Sequence, residues 1–167
     1  MTTDPVLPDV LATGLRLVVC GSAAGRVSAA RGCYYAGPGN KLWRTLAAVG
    51  LTDEVLVPSA YARVLEFRIG LTDLVQDQSG GDHQVDFARA GRDALRAKID
   101  RFQPALLCFN GKRAAREFLG RPVGFGAQQE RIGATRLFVA PSTSGAAGAS
   151  WSLAPWQEIA DLVRAVC

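Results

Sequence analysis

The sequence predicts an α/β fold, a three-layer α/β/α sandwich around a mostly parallel central sheet. Three observations carry that expectation. Short apolar runs rich in branched residues recur along the chain, amphipathic stretches long enough for helices separate them, and Gly- or Pro-rich breaks mark the change from one to the other. Strands of a parallel sheet covered on both faces read as near-continuous apolar runs, which is the pattern here. The 167 residues, 49% hydrophobic, suit one domain over 1–167 with an ample core.

The first predicted strand is Leu15-Arg16-Leu17-Val18-Val19-Cys20, stopped by Gly21. Gly21 to Gly39 is rich in Gly and Ala, shows no helical period and reads as a long loop, a kind usually kept for function. Asn40 is placed to cap a helix over Lys41–Val49, with Gly50 to end it. Residues from Ser59 or Ala60 to Phe67 read as helical and lead into Ile69–Val75. A polar turn over Gln76–Gly81 precedes a long helix from about Val85 to Phe102, with Phe87, Leu95 and Ile99 on its inner side. Ala105–Phe109 is a second buried strand, Gly111 opens a short helix, and Arg136–Ala140 is a third strand broken by Pro141. Pro155 sits in the first turn of a last helix reaching Val166.

Nineteen Lys and Arg against fifteen Asp and Glu give a net charge of +4, which permits a polyanionic partner without demanding one. The chain opens Met1-Thr2-Thr3-Asp4-Pro5 without a basic region and apolar stretch, and no apolar run approaches a membrane span. The expectation is a soluble, cytoplasmic protein that does not engage a membrane. Cys20, Cys33, Cys108 and Cys167 form no Cys-x-x-Cys pair and match no zinc or iron–sulfur spacing, so they read as structural or incidental and no metal site is expected.

In a parallel α/β sheet the ligand lies at the carboxyl ends of the strands, and three unusual segments are expected there: Gly21–Gly39, Asp73 with its neighbours, and Pro141–Ser150. Gly21-Ser22-Ala23-Ala24-Gly25 allows a ligand close to the backbone, yet it is neither a dinucleotide fingerprint nor a P-loop; a plain tight turn explains it equally well. Gly32 to Trp43 holds two tyrosines in a glycine-rich setting. One of Tyr34 and Tyr35 is expected to stack on a base, worth roughly 1–3 kcal/mol, while Trp43 is expected in the core. Asp73, between Leu71 and Leu74-Val75, sits where a carboxylate is hard to keep ionised, which suits a base or a stabiliser of positive charge; capping a turn is the alternative. Pro141 to Trp151 offers hydroxyls and open N–H groups able to hold phosphates. His83, the only histidine, reads as an exposed loop residue, and Lys112, Arg92, Arg96 and Arg101 as solvated helix surface.

These four segments, in this order, resemble the uracil-DNA glycosylase superfamily from about Leu17 to Val166. The nearest branch is the mismatch-specific uracil/thymine DNA glycosylases. Its Gly-Ile-Asn-Pro-Gly is matched by Gly21 to Gly25, its Gly-Phe-Pro-Phe-Ala-His-Pro-Ala-Asn-Arg-Phe-Trp by Gly32 to Trp43, its Gly-Val-Thr-Lys-Leu-Val by Gly70 to Val75, and its Asn-Pro-Ser-Gly by Ser142-Thr143-Ser144-Gly145. The departures are informative. The water-positioning asparagine falls on Ala23 and the proline on Ala24; the base-stacking phenylalanine becomes Tyr35; the wedge falls near the small Ala146; and the last loop has no histidine.

The resemblance implies a monofunctional glycosylase that flips uracil from double- or single-stranded DNA and hydrolyses its N-glycosidic bond in base excision repair. It would act as a monomer without cofactor. With Ala23 inert, Asp73 becomes the candidate catalytic residue. Gly21, Ser22, Ala23, Tyr35 and Asn40 would bind the base, and Ser142, Thr143, Ser144, Gly145, Ala146 and Ala147 would grip DNA. Three other readings stay open: a glycosylase for hypoxanthine or another deaminated base, a catalytically silent module that binds damaged DNA, and an unrelated α/β protein holding a nucleotide or phosphate at Gly21–Gly25.

Overall fold

The computed structural model describes residues 4–87 and 89–165. Val166, expected at the end of the last helix, and Cys167 lie outside the described residues, as do Met1 to Thr3. Four strands run parallel: β1 (Leu17–Gly21), β2 (Ile69–Asp73), β3 (Leu106–Asn110) and β5 (Thr135–Ala140). A further strand, β4 (Gly126–Ile132), pairs antiparallel with β5. The sheet order is β2-β1-β3-β5-β4.

Alternate residues of each strand leave opposite faces, so the apolar runs feed two separate layers. Leu17, Val19, Ile69 and Leu71 pack against α2 (Leu42–Ala48) and α5 (Ala154–Arg164), whose Trp156, Ile159 and Val163 are fully covered. Val18, Cys20, Leu107 and Phe109 pack on the other side against α3 (Arg89–Phe102) and α4 (Lys112–Leu119). The result is the three-layer α/β/α sandwich that the run pattern predicts. Residues Pro58–Phe67 form a 3-10 helix that ends at Arg68 in the left-handed region and turns the chain into β2.

Three local expectations are corrected. The supposed loop Gly21–Gly39 contains a short helix, α1 (Arg26–Arg31), opened by Gly25 and closed by Gly32 at φ 68°. Only Ser28 of it is buried, so it carries no apolar stripe that periodicity could reveal. α3 starts at Arg89 and not near Val85. The Gln78 side chain both donates to the Asp86 carbonyl and accepts from the Asp86 N–H, each at 2.9 Å, which takes the main-chain groups a helix would use. β4 goes unpredicted because its residues, Gly126-Ala127-Gln128-Gln129-Glu130-Arg131-Ile132, form an edge strand with almost no apolar content.

The outer edge of β2 is covered by the N-terminal segment, with Val10 and Leu71 exchanging both main-chain hydrogen bonds at 2.9 Å. Covering an edge this way blocks the middle of its ladder to another chain. It also brings Asp9 alongside Thr72. No helix among the described residues is long and apolar enough to cross a membrane.

Candidate active site

The register of the sheet creates the site. The β1–β2 ladder ends with Gly21 opposite Asp73, so the glycine turn and the carboxyl meet at the same sheet end. Beyond the strands the two loops continue together: Leu74 N–H donates to Gly21 O and Val75 N–H to Ser22 O, both at 2.8 Å, and Gly80 N–H donates to Ala24 O at 2.9 Å. Ser22 and Ala23 are thereby held half-buried beside Asp73.

Gly21 is required by close approach. A Cβ there would lie 2.7 Å from Asp73 Oδ1 and 3.2 Å from the Tyr35 hydroxyl, so both oxygens converge over one bare Cα. The structure also separates the two tyrosines. Tyr34 is buried and donates to Pro8 O at 2.9 Å. Tyr35 adopts φ 52°, an uncommon conformation for a bulky residue, and buries its hydroxyl although the residue as a whole stays partly exposed. Neighbours hold this conformation: Trp43 Nε1 donates to Tyr35 O at 3.2 Å, and Ala36 N–H donates to Ser28 Oγ at 3.0 Å. Trp43 is in the core, as expected.

Asp73 is buried to 7% exposure. Burial, followed by repulsion from Asp9 and opposed by Lys98, pushes its carboxyl up to about 7. Behind it lies a polar cluster that local sequence does not announce. Asp9 Oδ1 accepts from Thr72 Oγ1 at 2.6 Å and from Gln76 Nε2, while Lys98 Nζ sits 2.8 Å from Asp9 Oδ2 and donates to Gln76 Oε1 at 2.7 Å. The four residues come from the N-terminal segment, β2, its following loop and α3.

The other side of the cleft is organised by Asn110, the last residue of β3, which also escapes local sequence reasoning. Its side chain accepts from Thr143 N–H and donates to Thr143 Oγ1, both at 2.9 Å. An asparagine ending an apolar strand before Gly111 was the available signal. Thr143 is completely buried and holds the loop from within, whereas Gly145 and Ala146 are exposed and Ser142, Ser144 and Ala147 half-covered. Lys41 N–H donates to Thr143 O at 2.8 Å, and a Cβ at Gly145 would lie 3.3 Å from Gly39 Cα, so the two site loops touch. Asn40 Oδ1 accepts from Leu42 N–H at 3.0 Å, which ties up that oxygen in the turn ahead of α2, although the N-cap position is Lys41 and not Asn40 as expected.

Of the sequence candidates, the structure brings together Gly21, Asp73 and Tyr35, with Ser22 and Ala23 in the adjoining loop. Ser142–Ala147 follows β5 at the same sheet end. His83 is exposed, Cys20 and Cys108 are buried in strands, and Cys33 is half-covered. Among the described residues no group of His, Cys, Asp and Glu could hold a metal ion. Arg96 stacks on Phe118 at 5.0 Å and Lys112 on Phe125 at 4.4 Å, so these cations cover aromatic surface while remaining at the periphery.

Comparison with known proteins agrees with this architecture. Residues 8–160 match the family described as the uracil DNA glycosylase superfamily. The chain is also similar to a solution structure from Methanosarcina acetivorans, described as that of a candidate uracil DNA glycosylase. The two share 22% identity at a TM-score of 0.58, over 96% of each chain. At that identity the likeness concerns the fold.

Proposed function

Because the chain belongs to the uracil DNA glycosylase superfamily, we propose that it is a monofunctional DNA glycosylase that excises uracil, with Asp73 as its catalytic residue. The observation that carries this reading is a buried carboxyl near pH 7 at the carboxyl end of a parallel sheet, beside a bare Gly21. A carboxyl there changes protonation at working pH, the property a general base needs.

The chemistry follows from charge. As the C1′–N bond breaks, its electron pair leaves with the base and positive charge develops on the sugar. The Asp73 carboxylate stabilises that charge; a water oxygen then bonds to C1′ and gives its proton to Asp73. Ala23 has no side chain able to hold water, which concentrates the task on Asp73. The Tyr35 ring, on a residue left partly exposed, offers a stacking face, and backbone N–H groups near Ser22 and Tyr35 favour the negative charge on the departing base. The exposed part of Ser142–Ala147 supplies the DNA-gripping surface, with Thr143 as its internal anchor.

The test is single-turnover cleavage of labelled DNA carrying one uracil opposite G, opposite A, or unpaired, followed by alkali. Strand breaks only after alkali are expected. A parallel panel carrying hypoxanthine and other deaminated bases assigns the substrate. Lesion-dependent binding without abasic product at any enzyme concentration would overturn the enzymatic reading in favour of a silent binding module.

A further inference from the structure

We infer that the Tyr35 hydroxyl is the hydrogen-bond donor that orients the Asp73 carboxylate, making Tyr35 a positioning residue in addition to any stacking by its ring. The inference deepens the reading of Asp73 given above and rests on it for its catalytic meaning.

Four observations lead there. The Tyr35 hydroxyl is the one buried side-chain polar atom among the described residues without a hydrogen-bond partner, a condition folded proteins rarely leave standing. It is sealed from solvent, so bulk water does not serve it. Asn110, close by, is held by two bonds to Thr143 and acts on the phenol oxygen only as a donor, which leaves the hydroxyl proton itself without an acceptor. The Asp73 Oδ1, in turn, approaches the same bare Cα of Gly21 as the hydroxyl does.

A buried hydroxyl proton and a carboxylate oxygen therefore face each other across a gap that exists only because residue 21 lacks a Cβ. Ionisation of Asp73 draws the hydroxyl proton toward it, and rotation of the two side chains closes the bond. The left-handed backbone of Tyr35, fastened by Trp43, keeps the hydroxyl on this side. Strain held in this way at a site is a recurrent means of presenting a functional group.

The other titratable or charged groups facing Asp73 are Asp9 on the N-terminal segment, Lys98 on α3, Cys20 on β1 and Tyr34 beside Tyr35. Lys98 favours the carboxylate and Asp9 opposes it. A donated hydrogen bond adds to the effect of Lys98, because it stabilises the charged form.

Tyr35→Phe keeps the ring and removes the donor. In the free protein, the Asp73 carboxyl followed by carbon NMR should titrate about one pH unit higher than in the wild type, roughly a tenfold change in its ionisation constant. The acidic limb of the single-turnover rate should move with it, while affinity for uracil-containing DNA changes by less than about twofold because the stacking face is retained. An unmoved Asp73 midpoint overturns the inference. Should Tyr35→Phe not fold, the wild-type Tyr35 hydroxyl proton provides the second measurement. It should shift downfield with the Asp73 midpoint, and a resonance that ignores that midpoint is equally decisive against the proposal. The two readings fail separately. A fully active Asp73→Asn with a shifted titration in Tyr35→Phe sinks only the catalytic role of Asp73, whereas an inert Asp73→Asn with an unmoved titration sinks only the positioning role of Tyr35.

Discussion

Asp73 and Glu130 are carboxyls on opposite edge strands of one sheet, and their surroundings drive them in opposite directions. Glu130 accepts from Arg121 Nε at 2.8 Å and Nη2 at 2.7 Å, a two-point grip beside an open depression lined by Arg121, Gln128 and Glu130 itself. That hydrogen bonding holds its carboxyl down to about 2. Asp73 has no such cation in direct contact and little water, and rises to about 7. The difference teaches that a carboxylate with a forked partner in solvent is spent on structure, whereas one deprived of both keeps a proton that can move near neutral pH.

The largest expected effect comes from abolishing the contrast. Asp73→Asn should lower the single-turnover rate by on the order of 10²–10⁴-fold. In the wild type the rate should rise with pH through about 7, as the carboxylate forms. Stability should run the other way. The folded-state value lies above the ordinary one of 3.8, so the contribution of this carboxyl is fully present below about pH 4 and is lost as pH rises through about 7. Urea unfolding should therefore show Asp73→Asn gaining up to a few kcal/mol on the wild type at pH 8 and little at pH 4. A gap that does not change with pH would contradict the burial account.

Gly21→Ala is the next sharpest probe. Its Cβ would meet Asp73 Oδ1 at 2.7 Å and the Tyr35 hydroxyl at 3.2 Å, displacing the carboxyl. A rate loss of at least about tenfold is expected, with destabilisation of roughly 1–3 kcal/mol. A variant with wild-type kinetics would show that the reaction does not use this corner of the sheet.

Asn110→Ala strands the buried Thr143 N–H and hydroxyl, at a cost of about 1–3 kcal/mol, and should loosen the following loop. Amide exchange across residues 143–150 and DNA affinity would both register it; unchanged protection at Thr143 would rule out the anchoring role.

Lys98→Met tests the electrostatic setting more gently. Removing the cation leaves Asp9 without its ion pair and should move the acidic limb of the rate to higher pH, with the plateau retained. Movement to lower pH would reverse the assigned sign. At the far edge, Glu130→Gln should leave rate and pH profile unchanged and alter only the anchoring of Arg121 to β4. A kinetic effect there would mean that the two edges are coupled.

Much of the fold is legible without coordinates because its central strands are apolar on both faces. β1, β3 and β5 announce themselves through runs such as Leu17-Val18-Val19-Cys20 and Leu106-Leu107-Cys108-Phe109. β4 does not, since an edge strand needs no apolar run to complete a ladder with its neighbour. α1 escapes for a related reason: six residues with one buried serine leave no stripe. The candidate site is only partly legible. Asp73 stands out as a charge among leucines, while Asn110 looks like an ordinary strand end and Asp9 lies more than sixty residues from the strand it serves.

The sequence by itself determined the layer architecture, the strands that form the middle of the sheet, and the residue types available for chemistry: a bare glycine turn, two tyrosines, an aspartate in apolar company and a small-residue loop. These depend on periodicity and local preference, which act over a few residues. The tertiary structure decided that the β1–β2 register sets Gly21 against Asp73, and that Tyr35 rather than Tyr34 faces the carboxyl. It also decided that Thr143 anchors from within and that Asp9 and Lys98 stand behind the site. Those outcomes come from pairing and packing between segments far apart in the chain, where burial removes solvent and lets a single neighbouring oxygen or ammonium group set the state of a proton.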